Sequence, residues 1–140
     1  MKNENIEIIE TLTLSDIVVY GDSNRLKQVF INLMQNARTA MQDGGNIYIS
    51  TNNFQNNSIL IQLRDSGCGM SKDQLGKAFC QSYTTKVNGK GSGLGLSVSK
   101  SIINEFGGTI DLDSNIDEGT VASIILPKCS WDEHVSNVNK

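Results

Sequence analysis

Nine of the 13 glycines in this 140-residue chain lie between Gly67 and Gly108, and the whole chain holds a single proline. A flexible glycine-rich linker also carries serine and proline and lacks apolar anchors. These glycines stand instead among Leu, Val, Ile and Phe. They mark backbone that bends sharply, or passes close to a ligand, inside a folded domain. A length of 140 residues with 38% hydrophobic residues suits one domain with its own core, which argues against a disordered chain.

The remaining composition narrows the function classes. A net charge of -3 and a pI near 5.0 give no broad attraction to nucleic acid or to an anionic membrane surface. No apolar run approaches the roughly 18 residues that a membrane helix requires. Residues 1–10 show no basic stretch leading into an apolar core, so no signal peptide is read there. Cys68, Cys80 and Cys129 are odd in number and form no CxxC pair, which fits a reducing cytoplasm better than a disulfide scaffold or a zinc site. A single histidine, His134, makes a histidine metal centre or an internal catalytic triad improbable.

Apolar spacing divides the chain into elements. Residues 6–20 alternate apolar and polar and predict two short strands around a turn at 13–16. Asp22 or Ser23 predicts a helix cap, and Leu26, Val29, Phe30, Leu33, Ala37, Ala40 and Met41 follow with helical spacing. Strands are predicted at 47–51 and 59–63, with the Asn-rich stretch 52–57 as their loop. A short helix near 71–79, a long mobile loop at 80–92 and a second long helix at 94–106 come next. Gly107-Gly108 ends that helix, with Leu96, Ile102, Ile103 and Phe106 on its inner face. Strands at 109–113 and 120–126 complete the domain, and Pro127 stops the second. Residues 1–127 read as one domain and 128–140 as a polar tail. The fold class is α+β: a two-layer α/β sandwich, with a mixed, mostly antiparallel sheet of about five strands and about three helices on one face.

Several segments have the residue types that bind ligands. Gln28, Asn32 and Asn36 recur every four residues and form one stripe along the first long helix. Asparagine competes for backbone bonds in a helix interior, so two at the core boundary suggest amides aimed at a partner, and an amide oxygen is a hard, neutral ligand suited to magnesium. A solvated helix face accounts for the same spacing equally well. Asp65, at a strand end beside Gly67 and Gly69, places an acceptor-only carboxylate where a purine amino group would donate, although Asp-Gly turns are common at strand ends. Gly89-Lys90-Gly91-Ser92-Gly93-Leu94-Gly95-Leu96 runs directly into a helix, where exposed amides and the helix dipole favour an anion. It fits neither GxxxxGK[ST] nor GxGxxG, so it is a phosphate cradle of another design. Thr84, Thr85 and Lys86 lie just before it in a loop able to close over a phosphate tail, and Thr120 opens the last strand.

The ordered set resembles the catalytic, ATP-binding domain of bacterial sensor histidine kinases, within the wider family of gyrase B, the Hsp90 chaperones and MutL, whose fold is known as the Bergerat fold. Asp22-x-x-Arg25-x-x-Gln28-Val29-x-x-Asn32-Leu33-x-x-Asn36-Ala37 resembles that family's N box, and Asp65-x-Gly67-x-Gly69-Met70 its first glycine box. Phe79-x-x-x-Tyr83-Thr84-Thr85-Lys86 resembles the F box and the start of the lid. Gly91-Ser92-Gly93-Leu94-Gly95-Leu96 resembles the second glycine box, and Gly107-Gly108 and Glu118-Gly119-Thr120 the closing signatures. The match covers about residues 16–127.

The resemblance implies ATP and Mg2+ as cofactors. It implies that Asn36 binds the metal between the phosphates, that Asp65 accepts from the adenine amino group with Thr120 beside it through water, and that Gly67, Gly69 and Met70 pass close to the base. It further implies that Gly91, Ser92, Gly93, Leu94, Gly95 and Leu96 surround the phosphates, with Tyr83, Thr84, Thr85 and Lys86 closing the site and Lys86 touching the terminal phosphate. The resemblance also counts Asn32 among the ATP-binding residues and, with Asn36 and Lys86, among the catalytic ones; it stands where hydrolytic relatives carry a glutamate as general base. An amide cannot take that proton, which favours transfer to a protein acceptor over free hydrolysis. The implied acceptor is a histidine on a separate helical dimerisation domain, in cis or in trans, with a response regulator downstream. No nucleic acid and no membrane contact are expected of this segment, which is placed in the cytoplasm, alone or as the cytoplasmic part of an anchored sensor. His134 lies in the polar tail with no long helix before it and does not read as the acceptor. The alternatives are a related serine kinase of the anti-sigma-factor type and a nucleotide-binding or phosphotransfer module without kinase activity.

Overall fold

A computed structural model describes residues 6–12, 22–55, 57–79 and 95–128. The expected strand before residue 21, the expected mobile loop at 80–92 and the expected tail beyond 128 lie outside the described residues.

The elements in chain order are β1 (Ile6–Leu12), α1 (Ser23–Ala40), β2 (Gly45–Phe54), β3 (Ser58–Asp65), α2 (Lys72–Gly76), α3 (Gly95–Glu105), β4 (Thr109–Asn115) and β5 (Gly119–Pro127). The five strands form one sheet in the order β1-β2-β3-β5-β4. β1 pairs parallel to β2, and the other three pairings are antiparallel. The parallel pair is the one joined through a helix, α1, because parallel neighbours need a crossover that a tight turn cannot supply.

α1 starts where the sequence predicts. The Asp22 side chain accepts from the Asn24 N–H at 2.9 Å and caps the helix. Val29, Leu33 and Ala37 are buried along its apolar arc. In α3 the buried residues are Ser99, Ile102 and Ile103. Arg25, near the start of α1, forms an ion pair with Glu105 at the end of α3 and lies over the Phe106 ring, while Asn32 reaches Gly95 at the start of α3. The two helices therefore run antiparallel, side by side. α2 is a single short helix, closed by a capping box between Ser71 and Gln74.

Strand register sets the core. Ile59 faces Leu126, Ile61 faces Ile124 and Leu63 faces Ala122 across β3 and β5, and Ile110 adjoins Ile124 from β4. Because side chains alternate along a strand, these residues share one face, and that face packs on Val29, Leu33, Ala37, Ile102 and Ile103 of the two long helices. The opposite face is more polar: Arg64 lies over the Tyr48 ring, and Gln62 donates to Ser123 at 3.2 Å.

The predicted strands lengthen at their ends, β4 as far as Asn115, and the short helix near 71–79 contracts to Lys72–Gly76. The expected loop at 52–57 shortens to a turn after Phe54, because β2 continues to Phe54 with Asn52, Asn53 and Phe54 opposite Leu60, Ile59 and Ser58. Lys128, assigned by its sequence to the tail, donates its backbone N–H to Asn57 O at 2.7 Å and is tied to the β2–β3 turn. Among the described residues no helix is long and apolar enough to cross a membrane.

Candidate functional site

One rung beyond the apolar pairs, the helix-facing side of the sheet changes character. Asp65 of β3 stands opposite Thr120 of β5, which stands opposite Ser114 of β4. Asp65 and Ser114 are buried, with 6% and 8% of their surfaces exposed, so this polar rung is built into the edge of the core. Polar groups in such a place need partners. Asp65 Oδ1 accepts from the N–H of Gly67 at 2.8 Å and from the N–H of Thr120 at 3.3 Å. No described donor reaches its second oxygen. Burial pushes the Asp65 carboxyl above its usual pKa, and the two backbone N–H groups pull the other way.

The segment after β3 is stitched to the β4–β5 turn. Asp117 N–H donates to Cys68 O at 2.7 Å and Met70 N–H to Ser114 Oγ at 2.8 Å. Gly69 lies between these two bonds at φ +70, and a Cβ there would sit 1.9 Å from Asn115 O. Only glycine fits. A Cβ on Gly67 would sit 2.7 Å from both Ala40 Cβ and Ala40 O, and Cys68 N–H donates to that same Ala40 O at 3.1 Å. The expectation that Gly67 and Gly69 let the chain approach a ligand is thus joined by a reason internal to the protein. Both glycines admit a close approach of backbone to backbone, at the end of α1 and at the β4–β5 turn.

α1 lies along the other side of the site. Asn32 Nδ2 donates to Gly95 O at 3.1 Å and to Ser99 Oγ at 3.2 Å, while its Oδ1 accepts from Gln28 Nε2 at 2.9 Å. A carbonyl oxygen can only accept, so the amide nitrogen must face Gly95. Ser99, fully buried, donates to the same Gly95 O at 2.8 Å. Asn32, expected to touch a nucleotide, has both amide hydrogens engaged within the protein and fastens the start of α3 to α1. Four residues on, the side-chain amide of half-buried Asn36 makes no hydrogen bond to a described residue. Another four residues on, Ala40 meets Gly67. One stripe of α1 therefore touches the start of α3 at one end and the first glycine segment at the other, about 12 Å apart at about 1.5 Å per residue, with the Asn36 amide between them.

Of the other expected site residues, Met70 is half-buried and held by Ser114, Leu96 packs against the core, and Gly95 is the first residue of α3. Tyr83, Thr84, Thr85, Lys86, Gly91, Ser92, Gly93 and Leu94 lie outside the described residues. Sequence reasoning missed Ser114 and Ser99. Their signal was present: each is a serine at a register that otherwise holds apolar residues, after Ile110 and Leu112 in β4 and between Leu96 and Ile102 in α3.

Comparison with known proteins extends this geometry. Residues 21–130 match the family model for histidine kinase-, DNA gyrase B- and HSP90-like ATPases. The chain is 45% identical over 109 residues to sporulation kinase E of Bacillus subtilis, covering 78% of this chain and 14% of that protein. It is 41% identical over 120 residues to sporulation kinase B of the same organism, covering 85% of this chain and 27% of that one. Among solved structures, the catalytic domain of histidine kinase ThkA superposes with a TM-score of 0.76 at 34% identity over 89% of this chain and 80% of that one. ThkA in complex with the response regulator protein TrrA superposes with a TM-score of 0.72 at 31% identity, over 89% of this chain and 35% of that one. The chain thus corresponds to a minor part of the kinases it resembles in sequence.

Proposed function

Since the chain belongs to the histidine kinase-, DNA gyrase B- and HSP90-like ATPase family, we propose that it is the ATP- and Mg2+-binding catalytic domain of a sensor histidine kinase, donating the γ-phosphoryl group to a histidine outside this sequence. The observation that carries this reading is the α1 stripe. It joins a buried carboxylate end, suited to a base, to the start of a helix preceded by glycines, suited to phosphates, with an amide that bonds no described residue between them.

In this reading Asp65 accepts from the adenine amino group, with Thr120 beside it. Residues 91–95 offer amides to the phosphates, and Thr84, Thr85 and Lys86 lie over the terminal phosphate, as the resemblance implies. The Asn36 amide fits magnesium, which prefers hard oxygen donors and keeps phosphate oxygens and waters for its other positions. Bound there, the ion would neutralise charge on the transferring phosphoryl group. The chain's own contribution is to position the nucleotide; with an amide at position 32, no carboxylate is available there to activate water.

A phosphoacceptor histidine on a helical dimerisation domain and a response regulator are the partners we assign. The solved complex of the similar kinase ThkA with its response regulator supports the second. Calorimetric titration with ATP, with and without Mg2+, tests the reading. Magnesium-dependent binding with little steady-state hydrolysis is expected. Absence of binding at millimolar ATP would overturn it, and rapid turnover by this chain alone would remove the significance given to Asn32.

A further inference from the structure

The buried rung that holds Asp65 contains a hydroxyl pair whose polarity follows from counting hydrogens. Ser114 Oγ has one hydrogen to donate and two lone pairs to offer. Its contact with Gly119 O, at 2.9 Å, takes the hydrogen, because a carbonyl only accepts. The Met70 N–H, at 2.8 Å, takes one lone pair. The contact between Ser114 Oγ and Thr120 Oγ1, at 2.8 Å, is left with the second lone pair alone, so Thr120 must be its donor. With its hydrogen held by Ser114, Thr120 has only lone pairs for anything else that approaches. Beside it, Asp65 has Oδ1 fixed by two backbone N–H groups and Oδ2 without a described donor, and an ionised carboxylate is acceptor-only. The rung therefore presents an edge made of acceptors.

We propose that Ser114 is a specificity-determining positioning residue: by holding the Thr120 hydrogen it makes Thr120 an acceptor toward the base and so selects a purine with an amino group at C6 over one with a carbonyl there. The proposal rests on the nucleotide-binding reading above and adds a residue that does not itself touch the nucleotide. The polarity passes to the base directly or through one water, since a water that donates to Thr120 and to Asp65 keeps its own lone pairs for the amino hydrogens. Were the Thr120 hydrogen released, Thr120 would rotate it outward and serve a C6 carbonyl as readily as an amino group.

The discriminating probe is inosine triphosphate, which carries a carbonyl in place of the C6 amino group and has no amino group at C2. Binding of ATP and of inosine triphosphate, each with Mg2+, is measured by calorimetry for the wild type and its variants. The wild type should prefer ATP. Ser114→Ala should narrow that preference by about fivefold, the scale of one net hydrogen bond. Ser114→Cys, which keeps the site filled but is a weak acceptor, should narrow it likewise and serves if the alanine variant fails to fold. In a Thr120→Val background, Ser114→Ala should leave the preference unchanged, because no hydroxyl remains to orient. An equal loss for both nucleotides in Ser114→Ala and Ser114→Cys would overturn the proposal and reduce Ser114 to a structural support of Met70 and the β4–β5 turn. A wild type that binds ATP without preferring it over inosine triphosphate would overturn it as well. A wild type that binds neither nucleotide would overturn the nucleotide reading itself, a result distinct from either of the others.

Discussion

At the scale of single residues, Asp65 is under two opposing demands. Its surroundings disfavour the charge, since burial raises the pKa more than the Gly67 and Thr120 N–H groups lower it. The proposed base contact requires the charge, since only the ionised form is purely an acceptor. The signs of the two pH effects follow. A carboxyl whose folded-state pKa lies above its unfolded one binds protons more tightly when folded, so it lowers the stability of the nucleotide-free domain as pH rises through the window between the two values. Nucleotide affinity runs the other way and falls as pH drops through the raised value. Asp65→Asn removes the charge while its amide oxygen still accepts from Gly67 and Thr120. The variant should melt at or above the wild-type temperature near neutral pH, show a flatter stability profile through the acidic window, and bind ATP at least about tenfold more weakly, as loss of a hydrogen bond to a charged group implies. Thermal melts across pH and a calorimetric titration check the three outcomes together. A variant that loses stability and keeps its affinity would place Asp65 among structural residues.

At the scale of elements, α1 acts as a beam with the two ends of the site attached to it. At Asn32 it holds the start of α3, through Gly95 and Ser99, and at Ala40 it holds the first glycine segment, through Gly67 and Cys68. Loosening one end should leave the other in place. Asn32→Ala is expected to weaken ATP binding by about tenfold while leaving the affinity for adenosine unchanged, because only the α3 end, assigned to the phosphates, loses its fastening. Titrations with the two ligands separate this outcome from a general loss of structure, which would lower both. At the other end Gly69→Ala needs left-handed backbone for a side chain and a Cβ inside Asn115 O. It should cost at least about 2 kcal/mol by denaturant melts. Helices α1 and α3 were readable because their apolar spacing and the Asp22 cap are local signals. The extension of β2 through Asn52 and Asn53 was not, because asparagine is poor in strands by propensity and is held there by Leu60 and Ile59 across the ladder. The first glycine box was legible as a site of close approach, but what it approaches was not, since Ala40 and Asn115 come near only once the chain has folded.

At the scale of the whole molecule, the antiparallel ladders bring residues far apart in sequence onto one rung. Asp65, Thr120 and Ser114 meet because β5 returns between β3 and β4, a strand order that alternation of apolar and polar residues does not encode. Sequence pattern named Asp65 and Thr120 by motif and passed over Ser114, which has no ligand-bearing neighbour in sequence. A nucleotide lying along α1 would bridge the sheet end to the start of α3, and would therefore stabilise the fold as a unit by mass action. At a hundredfold excess over its dissociation constant, Mg-ATP should add about 2.7 kcal/mol and raise the melting temperature by about 8 °C for a domain of this size. Asn36→Ala separates the metal from the base in the same measurement. Its amide makes no bond to a described residue, so its removal should leave the ligand-free melting temperature close to that of the wild type. The shift produced by ATP should then be the same with Mg2+ as with a chelator, whereas in the wild type the chelator should remove most of it. An Asn36→Ala domain that keeps the full magnesium-dependent shift would move the metal away from α1, and with it the assignment of the α3 end of the stripe to the phosphates.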